Sequence, residues 1–519
     1  MPNWLRPFIG PVLILVLWEI AGRFGLVASG ALPAPSAILV RLVVDWSDYP
    51  GHVLATLFGA SVGFLIGNAV AIAAGVLFAL SPLSARVARG LNVALFALPP
   101  IAISPILVLT FSDPVPRIVL AAIGCYFVTM TATLVGLTQA DARSVDVVRA
   151  YGGGRLKALW LVQARSALPV ILSGLRIAAP NAVLGSILAE FGGGGRWGLG
   201  VYLLGSLGRG EPDRLWGIGL MATLIAGLAY LAFVLLARAI TGSSQAVTVP
   251  TAVLRSTDRP RPAWQHGLII VASIGLPLGL WWALLALLRV PAMLAKTPPA
   301  LYDYLFGLPG SAATQAKLVA ALLQTLPMTL IGMGAGLAMA FALALGTQLA
   351  PRLIRALLPI ALVTQTMPLV ALTPLLVLLV GRGPAVILWI TVSVTFFPAF
   401  VTMAQGLLLV PRAALEVPRA YGATVWQQVR LVSVPASLPY LFAATRLTAP
   451  RALLGVMIAE WLATGTGLGN LLNQSRGYLD YGMIWAVAVV SVLVAVAFYQ
   501  GVVLVERRVL GRLGMAVAE

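Results

Sequence analysis

Arg149-Ala150-Tyr151-Gly152 returns later in the chain as Arg419-Ala420-Tyr421-Gly422, 270 residues on. The same offset carries Leu168-Pro169 onto Leu438-Pro439, Arg176 onto Arg446, Ala179-Pro180 onto Ala449-Pro450 and Ala189-Glu190 onto Ala459-Glu460. Upstream the offset is 269, taking Thr56-Leu57 to Thr325-Leu326, Gly67 to Gly336, Pro82 to Pro351, and Pro99 and Pro105 to Pro368 and Pro374. A repeat of this period constrains the chain to two copies of one domain joined head to tail. Only 10% of its 519 residues are charged, against about 25% in a soluble domain. Mean hydropathy is +0.98, so each copy reads as a membrane domain.

A spanning helix needs roughly 20 mostly apolar residues. The first copy offers six such runs, at about 8–25, 53–80, 91–112, 117–139, 167–191 and 215–238. The second offers six more, at about 267–290, 322–350, 356–380, 384–410, 437–461 and 482–505. The runs are continuously apolar and do not alternate, which favours helices over a barrel. The first run contains Glu19 and lacks a small-residue cleavage site, so a retained helix is expected in place of a signal peptide. The expectation is an all-α polytopic protein of about twelve spans. Its parts are a first domain over 1–240, a polar linker over 241–264 and a second domain over 265–519.

The net charge of +18 is carried between the apolar runs, without interleaved aromatics, so nucleic acid is not the expected partner. Arg86 and Arg89, then Arg143, Arg149, Arg155 and Lys157, and again Arg352, Arg355, Arg412, Arg419 and Arg430 fall in alternate loops. Positive-inside bias places those loops, and both termini, on the cytoplasmic side. An even number of spans per copy then makes the two copies parallel. Cys125 is the only cysteine and lies in an apolar run, where a packed small hydrophobe is expected.

Gly59, Gly63 and Gly67, and in the second copy Gly332 and Gly336, recur every four residues, the spacing that lets helices approach closely. Pro99, Pro100 and Pro105, with Pro368 and Pro374, interrupt matching spans; a broken pathway helix and a packing kink both fit. Gly59-Ala60-Ser61-Val62-Gly63 matches a nucleophile elbow by letter. His52, however, stands nine residues before Ser61, about 13 Å along one helix, and His266 is the only other histidine. Packing glycine is the expected reading. No clustered metal ligands and no phosphate-binding G-x-x-x-x-G-K-[ST] occur; Gly192 to Gly195 leads into Arg196-Trp197 instead.

The repeated basic loop, 141–165 and 411–435, is patterned beyond what a solvated loop needs. In the second copy Glu416-Val417-Pro418-Arg419-Ala420-Tyr421-Gly422 is followed by Ala423-Thr424-Val425-Trp426-Gln427 and then Val434-Pro435 and Leu438-Pro439. This is a short amphipathic helix ended by glycine and followed by a second helix. The segment resembles the EAA motif of type I ABC importer permeases. The stretch from Arg446 to Glu460, with Gly467-Leu468-Gly469, is similar to the nitrate/sulfonate/taurine branch of that family. The chain thus looks like a tandem fusion of two such permease domains.

The resemblance implies a translocation subunit, not an enzyme, that moves a small polar or anionic solute into the cytoplasm across the bacterial inner membrane. It implies two copies of a separate ATPase subunit carrying ATP and Mg, and an extracytoplasmic solute-binding protein. No cofactor is then bound by this chain itself, and lipid surrounds it. Carried over position by position, the ATPase contact falls on Asp146, Arg149, Ala150 and Gly152, and on Glu416, Arg419, Ala420 and Gly422. Asp146 replaces the usual Glu, Ala164-Arg165 stands where the second copy has Val434-Pro435, and Gly152-Gly153-Gly154 loosens the first loop. The two contacts are therefore expected to be inequivalent. Nitrate, sulfonates, taurine, a thiamine-precursor pyrimidine and riboflavin-like compounds are all compatible cargo. Candidate pathway residues are Asn181, Thr364, Gln365, Thr366 and Arg451. Glu190 and Glu460 are candidate gate or structural residues, or ion-coupling carboxylates if the chain is an ion-coupled secondary transporter.

Overall fold

The computed structural model describes residues 6–193, 195–241, 263–350 and 369–515. The expected linker 241–264 and the triad Thr364, Gln365 and Thr366 lie, but for a few linker residues, outside them. Among the described residues the fold is helical throughout. In the first copy the long helices are α1 (Tyr49–Leu80), α2 (Val115–Thr138), α3 (Arg155–Phe191), the short α4 (Leu199–Ser206) and α5 (Pro212–Thr241). Their counterparts are α6 (Ser311–Leu349), α7 (Pro384–Leu408), α8 (Val425–Thr464), α9 (Gly467–Gly477) and α10 (Tyr481–Arg512).

Nine of the described helices are long and apolar enough to span a bilayer, ten if one bent pair is a single span. Twelve were expected, and the shortfall has local causes. The first helix, Arg6–Arg23, is only 18 residues and carries three charges. The run at 91–112 is folded at Pro99 and Pro100 into Arg89–Ala97 and Pro100–Thr110, set at 90°, because proline removes a ladder donor and clashes with the preceding turn. Only the end of the run at 356–380 is described, as Leu369–Val380.

Two compact units emerge, and neither follows the sequence halves. One comprises residues 51–201 and 224–311. In it α2 packs along α3, with Gly185 against the Leu120 carbonyl at 2.5 Å from where a Cβ would stand and Gly136 against Ala167. The glycine ladder of α1 lies on the same helix. A Cβ on Gly63 would stand 2.5 Å from both Ala121 Cβ and the Ile118 carbonyl, and one on Gly67 2.6 Å from the Ala122 carbonyl. Helix Ala263–Leu287, the first of the second copy, belongs to this unit and packs on Arg89–Ala97, where Gly90 N–H donates to Ser273 Oγ at 2.7 Å.

The other unit comprises residues 1–50, 202–223 and 312–517. Here α7 packs along α8, and Gly332 and Gly336 of α6 sit against Thr391 and Thr395 of α7. Ala340, Ala344, Ala399, Phe400, Met403 and Ala444 close the core between α6, α7 and α8. The first-copy segments of this unit are tied by Arg214, whose guanidinium clasps Asp45 with two bonds of 2.7 Å, and by Arg41, which reaches Asp45 at 2.8 Å and Glu211 at 2.9 Å. In both units the outward faces carry exposed Leu, Ile, Val and Phe, as a surface solvated by lipid requires.

Candidate functional site

The two patterned loops form matching exposed helices, Ala142–Ala150 and Arg412–Ala420. Each stops because the next glycine is left-handed, Gly152 at φ +78° and Gly422 at φ +77°. The turn then closes backward: Gly153 N–H donates to Val148 O at 2.8 Å and Ala423 N–H to Pro418 O at 3.0 Å. These bonds satisfy carbonyls that the helix end leaves open. Any side chain at Gly152 or Gly422 would have free space but strained backbone.

Tyr151 and Tyr421 are each 89% exposed, projecting beside those glycines. Val147 and Val417, Leu156 and Trp426, and Leu161 and Leu431 are exposed at matching positions. An apolar set displayed this way beside charged residues is what a docking surface offers. Sequence reasoning named the acidic, Arg, Ala and Gly positions and passed over the tyrosine, although Tyr151-Gly152 and Tyr421-Gly422 are part of the repeat itself. Asp146 and Arg149 pair at 3.3 Å across one helical turn and are both exposed. Glu416 and Arg419 have the same spacing but form no such pair among the described residues. Ala150 and Ala420 are exposed.

The loops differ where the next helix begins. Thr424 accepts from Gln427 N–H at 3.3 Å, and the Gln427 side chain accepts from Thr424 N–H at 2.8 Å, a complete capping box. Gly154 supplies no side-chain cap in the first copy. Both helices then pass through a π turn, Leu159–Gln163 and Val429–Ser433, and α8 ends in a second one, Glu460–Thr464. Beside the first loop a cleft of about 210 Å³ is lined by Val145, Arg149, Arg155 and Gln163.

Glu190 and Glu460 occupy equivalent buried sites at the far ends of α3 and α8. Thr56 donates its hydroxyl to Glu190 at 2.8 Å, and Gly200 N–H donates to the second carboxylate oxygen at 2.7 Å. Thr325 and Gly469 do the same for Glu460, at 2.8 and 2.9 Å. The threonines in turn accept from Leu199 N–H and Leu468 N–H, both at 2.9 Å. Each carboxylate thus satisfies the open amides at the start of α4 or α9.

The sites diverge in their neighbours. Arg117, almost fully buried, stands 4.0 Å from Glu190 and 2.7 Å from Asp113; at the 270-residue offset that carries Gly136 onto Gly406, Ile387 and Gly383 hold those places in the second copy. Sequence reasoning missed Arg117, since one arginine at the start of an apolar run reads as a flanking charge. Among the pathway candidates, Asn181 and Arg451 are half-buried on α3 and α8. Arg451 makes no hydrogen bond or ion pair with the described residues. Arg446 instead pairs with the buried Glu506 at 3.1 Å, whereas its counterpart Arg176 lies over the Tyr230 ring at 5.9 Å.

Residues 67–244 and 332–511 each match the sequence profile of the family described as binding-protein-dependent transport system inner membrane component. Over 153 residues the chain is 31% identical to the riboflavin transport system permease protein RibX of Chloroflexus aurantiacus, covering 30% of this chain and 57% of that one. It is 28% identical over 194 residues to the putative aliphatic sulfonates transport permease protein SsuC of Bacillus subtilis, covering 37% and 70%. It is 31% identical over 176 residues to the formylaminopyrimidine transport permease protein ThiX of Halalkalibacterium halodurans, covering 32% and 70%.

Proposed function

The chain belongs, through both of its copies, to the family of binding-protein-dependent transport system inner membrane components, and on that premise we propose that it is a translocation subunit of an ATP-driven importer with two permease domains in one chain. One observation carries the reading. Two short exposed helices, each ended by a left-handed glycine, display the same unpartnered apolar side chains at the same place in each copy. Each helix docks one ATPase subunit, so a single chain recruits two. Val147, Ala150 and Tyr151 meet one subunit, and Val417, Ala420 and Tyr421 the other. Asp146, Arg149, Glu416 and Arg419 supply the polar rim, while Gly152 and Gly422 fix the angle at which each helix leaves the membrane domain. ATP and Mg belong to that partner.

Both loops face the cytoplasm, with both termini, in the bacterial inner membrane. An extracytoplasmic binding protein delivers the cargo. The three relatives are named for riboflavin, aliphatic sulfonates and formylaminopyrimidine; what these share is a small polar organic solute, and that is the cargo class proposed here. Asn181, Arg451 and the segment Thr364 to Thr366 are its proposed path. In the ion-coupled alternative Glu190 and Glu460 would carry ions. Their carboxylates are committed to threonine hydroxyls and backbone amides, which speaks for anchoring.

The decisive experiment is co-purification from the native membrane of the wild type and Gly422→Arg. An ATPase subunit recovered with the wild type and depleted from the variant supports the reading. Recovery of no ATPase with either protein overturns it in favour of ion coupling.

A further inference from the structure

A cleft of about 580 Å³ opens between α6, the turn Gly465–Gly467, α9 and the start of α10. It lies at the end of α8 remote from the Arg412–Ala420 helix, within one compact unit. Its size matches a small-molecule site. Lys317, Ala321 and Gln324 present one face of α6 to it, and Asn470 and Gln474 face it from α9.

The hydrogen bonds already made decide what chemistry is left over. Gln324 spends its carbonyl oxygen on Gly467 N–H at 2.9 Å, leaving its amide N–H groups as donors. Lys317 has no carboxylate or hydrogen-bond partner among the described residues. Asp480, the acidic group of the lining, is occupied as the cap of α10, accepting from Met483 N–H at 3.0 Å. The backbone amides at the start of α9 are consumed by Gln324, Thr325 and Glu460. What remains is a cation and side-chain amide donors, beside one carboxylate, Asp480, that is held as the cap of α10.

At the matching sequence positions the first copy carries other residues. Asp48 stands where Lys317 does, Ala55 where Gln324 does, Val201 where Asn470 does and Gly205 where Gln474 does. The Trp197 ring lies against Gly51, 2.8 Å from where its Cβ would be, and 5.1 Å from the His52 ring. Within its own unit Tyr202 packs edge-on to Tyr49 at 5.5 Å and donates to Asp48 at 3.3 Å.

We propose that the cleft of the second copy is a binding subsite for small organic anions, carboxylates or sulfonates, present on that copy alone. Lys317 and the Gln324 and Gln474 amides hold the anionic group, and Asn470 borders the rest of the solute. The inference rests on the importer reading only in making that solute cargo; binding itself needs neither ATPase nor binding protein.

The test uses the full chain in lipid nanodiscs with Tyr478→Cys, at an 85% exposed position of the same lining that makes none of the proposed contacts, as reporter. Cys125, the only native cysteine, is fully buried and stays silent. Acetate and methanesulfonate are expected to slow maleimide modification of the introduced thiol, and acetamide and chloride at matched concentration are not. Lys317→Met is expected to raise the acetate concentration needed about tenfold, the loss of one charge-assisted contact. Modification unaffected by every solute, equal protection by acetamide or chloride, or an unchanged response in Lys317→Met overturns the proposal. Should Tyr478→Cys not fold, Thr466→Cys, at another exposed position of the same lining, reports in its place. Any of these failures leaves ATPase co-purification untouched, and loss of co-purification leaves solute protection untouched.

Discussion

Thr325 reaches Glu460 with its hydroxyl at 2.8 Å while taking the Leu468 N–H at 2.9 Å, so one buried side chain joins α6, the end of α8 and the start of α9. The pair Thr56 and Glu190 repeats the arrangement in the first copy. Glu460→Ala leaves the Gly469 N–H buried without an acceptor and the Thr325 hydroxyl with the Ala321 carbonyl alone, and a loss of about 1–3 kcal/mol is expected. Glu460→Gln keeps one acceptor oxygen and should lose less. Glu190→Gln should be the costlier of the two amides, because it leaves the buried Arg117 with Asp113 alone. Thermal unfolding of the detergent-purified chain ranks the three.

Gly422→Asn should retain ATPase co-purification and transport, and Gly422→Val should lose both. Asparagine tolerates the left-handed region and a β-branched residue does not. The strain is of the order of 1 kcal/mol or more, enough to re-aim a nine-residue helix held by few contacts. Transport assayed in cells beside co-purification separates the two variants.

The inequivalence of the loops has its own test. Thr424→Ala should cost about 1 kcal/mol of helix start and speed hydrogen exchange over Val425–Gln428. Gly154→Thr should slow exchange over Arg155–Ala158, since Gly154 already has an extended backbone and open space around its Cβ position.

Acid should loosen one corner of the molecule. Hydrogen bonds from Arg214, and then from Arg41, hold the Asp45 carboxyl below the ordinary carboxylate range. A folded-state value lower than the unfolded one means that stability is fully present at neutral pH. It is lost as pH falls through the depressed folded value. Asp45→Asn should lower the unfolding temperature at pH 7 and flatten its dependence on pH in the acid range.

Ser61→Ala should leave stability and transport unchanged, since Ser61 is exposed on α1 with no bonded base. Gly63→Leu should destabilise by about 1–3 kcal/mol or more, because α2 already sits where its Cβ would go. Thermal unfolding and transport measured on both settle which letters of that motif matter.

The helical class, the tandem repeat, the glycine ladder and the proline break were legible because each has a local cause in the chain. Glu190 and Glu460 stood out because a carboxylate in an apolar run needs a partner. Their partners did not: Thr56 and Thr325 carry no signal that distinguishes them from any helix threonine. The assignment of Ala263–Leu287 to the unit of residues 51–201 was likewise illegible. A helix apolar on all sides has no amphipathic face to declare its neighbour. The cleft at Lys317 was readable in principle from the i, i+4, i+7 spacing of Lys317, Ala321 and Gln324. Its significance needed the comparison with Asp48, His52 and Ala55.

The π turns at Leu159–Gln163 and Val429–Ser433 set phase as well as path. Each holds one residue more than an α turn, so the helix beyond is rotated by about 100° relative to an uninterrupted one. Deleting a single residue there would keep both flanking helices intact yet swing each loop by more than a quarter turn about its helix axis. The two copies thus share a gearing between loop and bundle that is fixed by a count of residues, and evolution can substitute side chains on either side of it without changing the ratio.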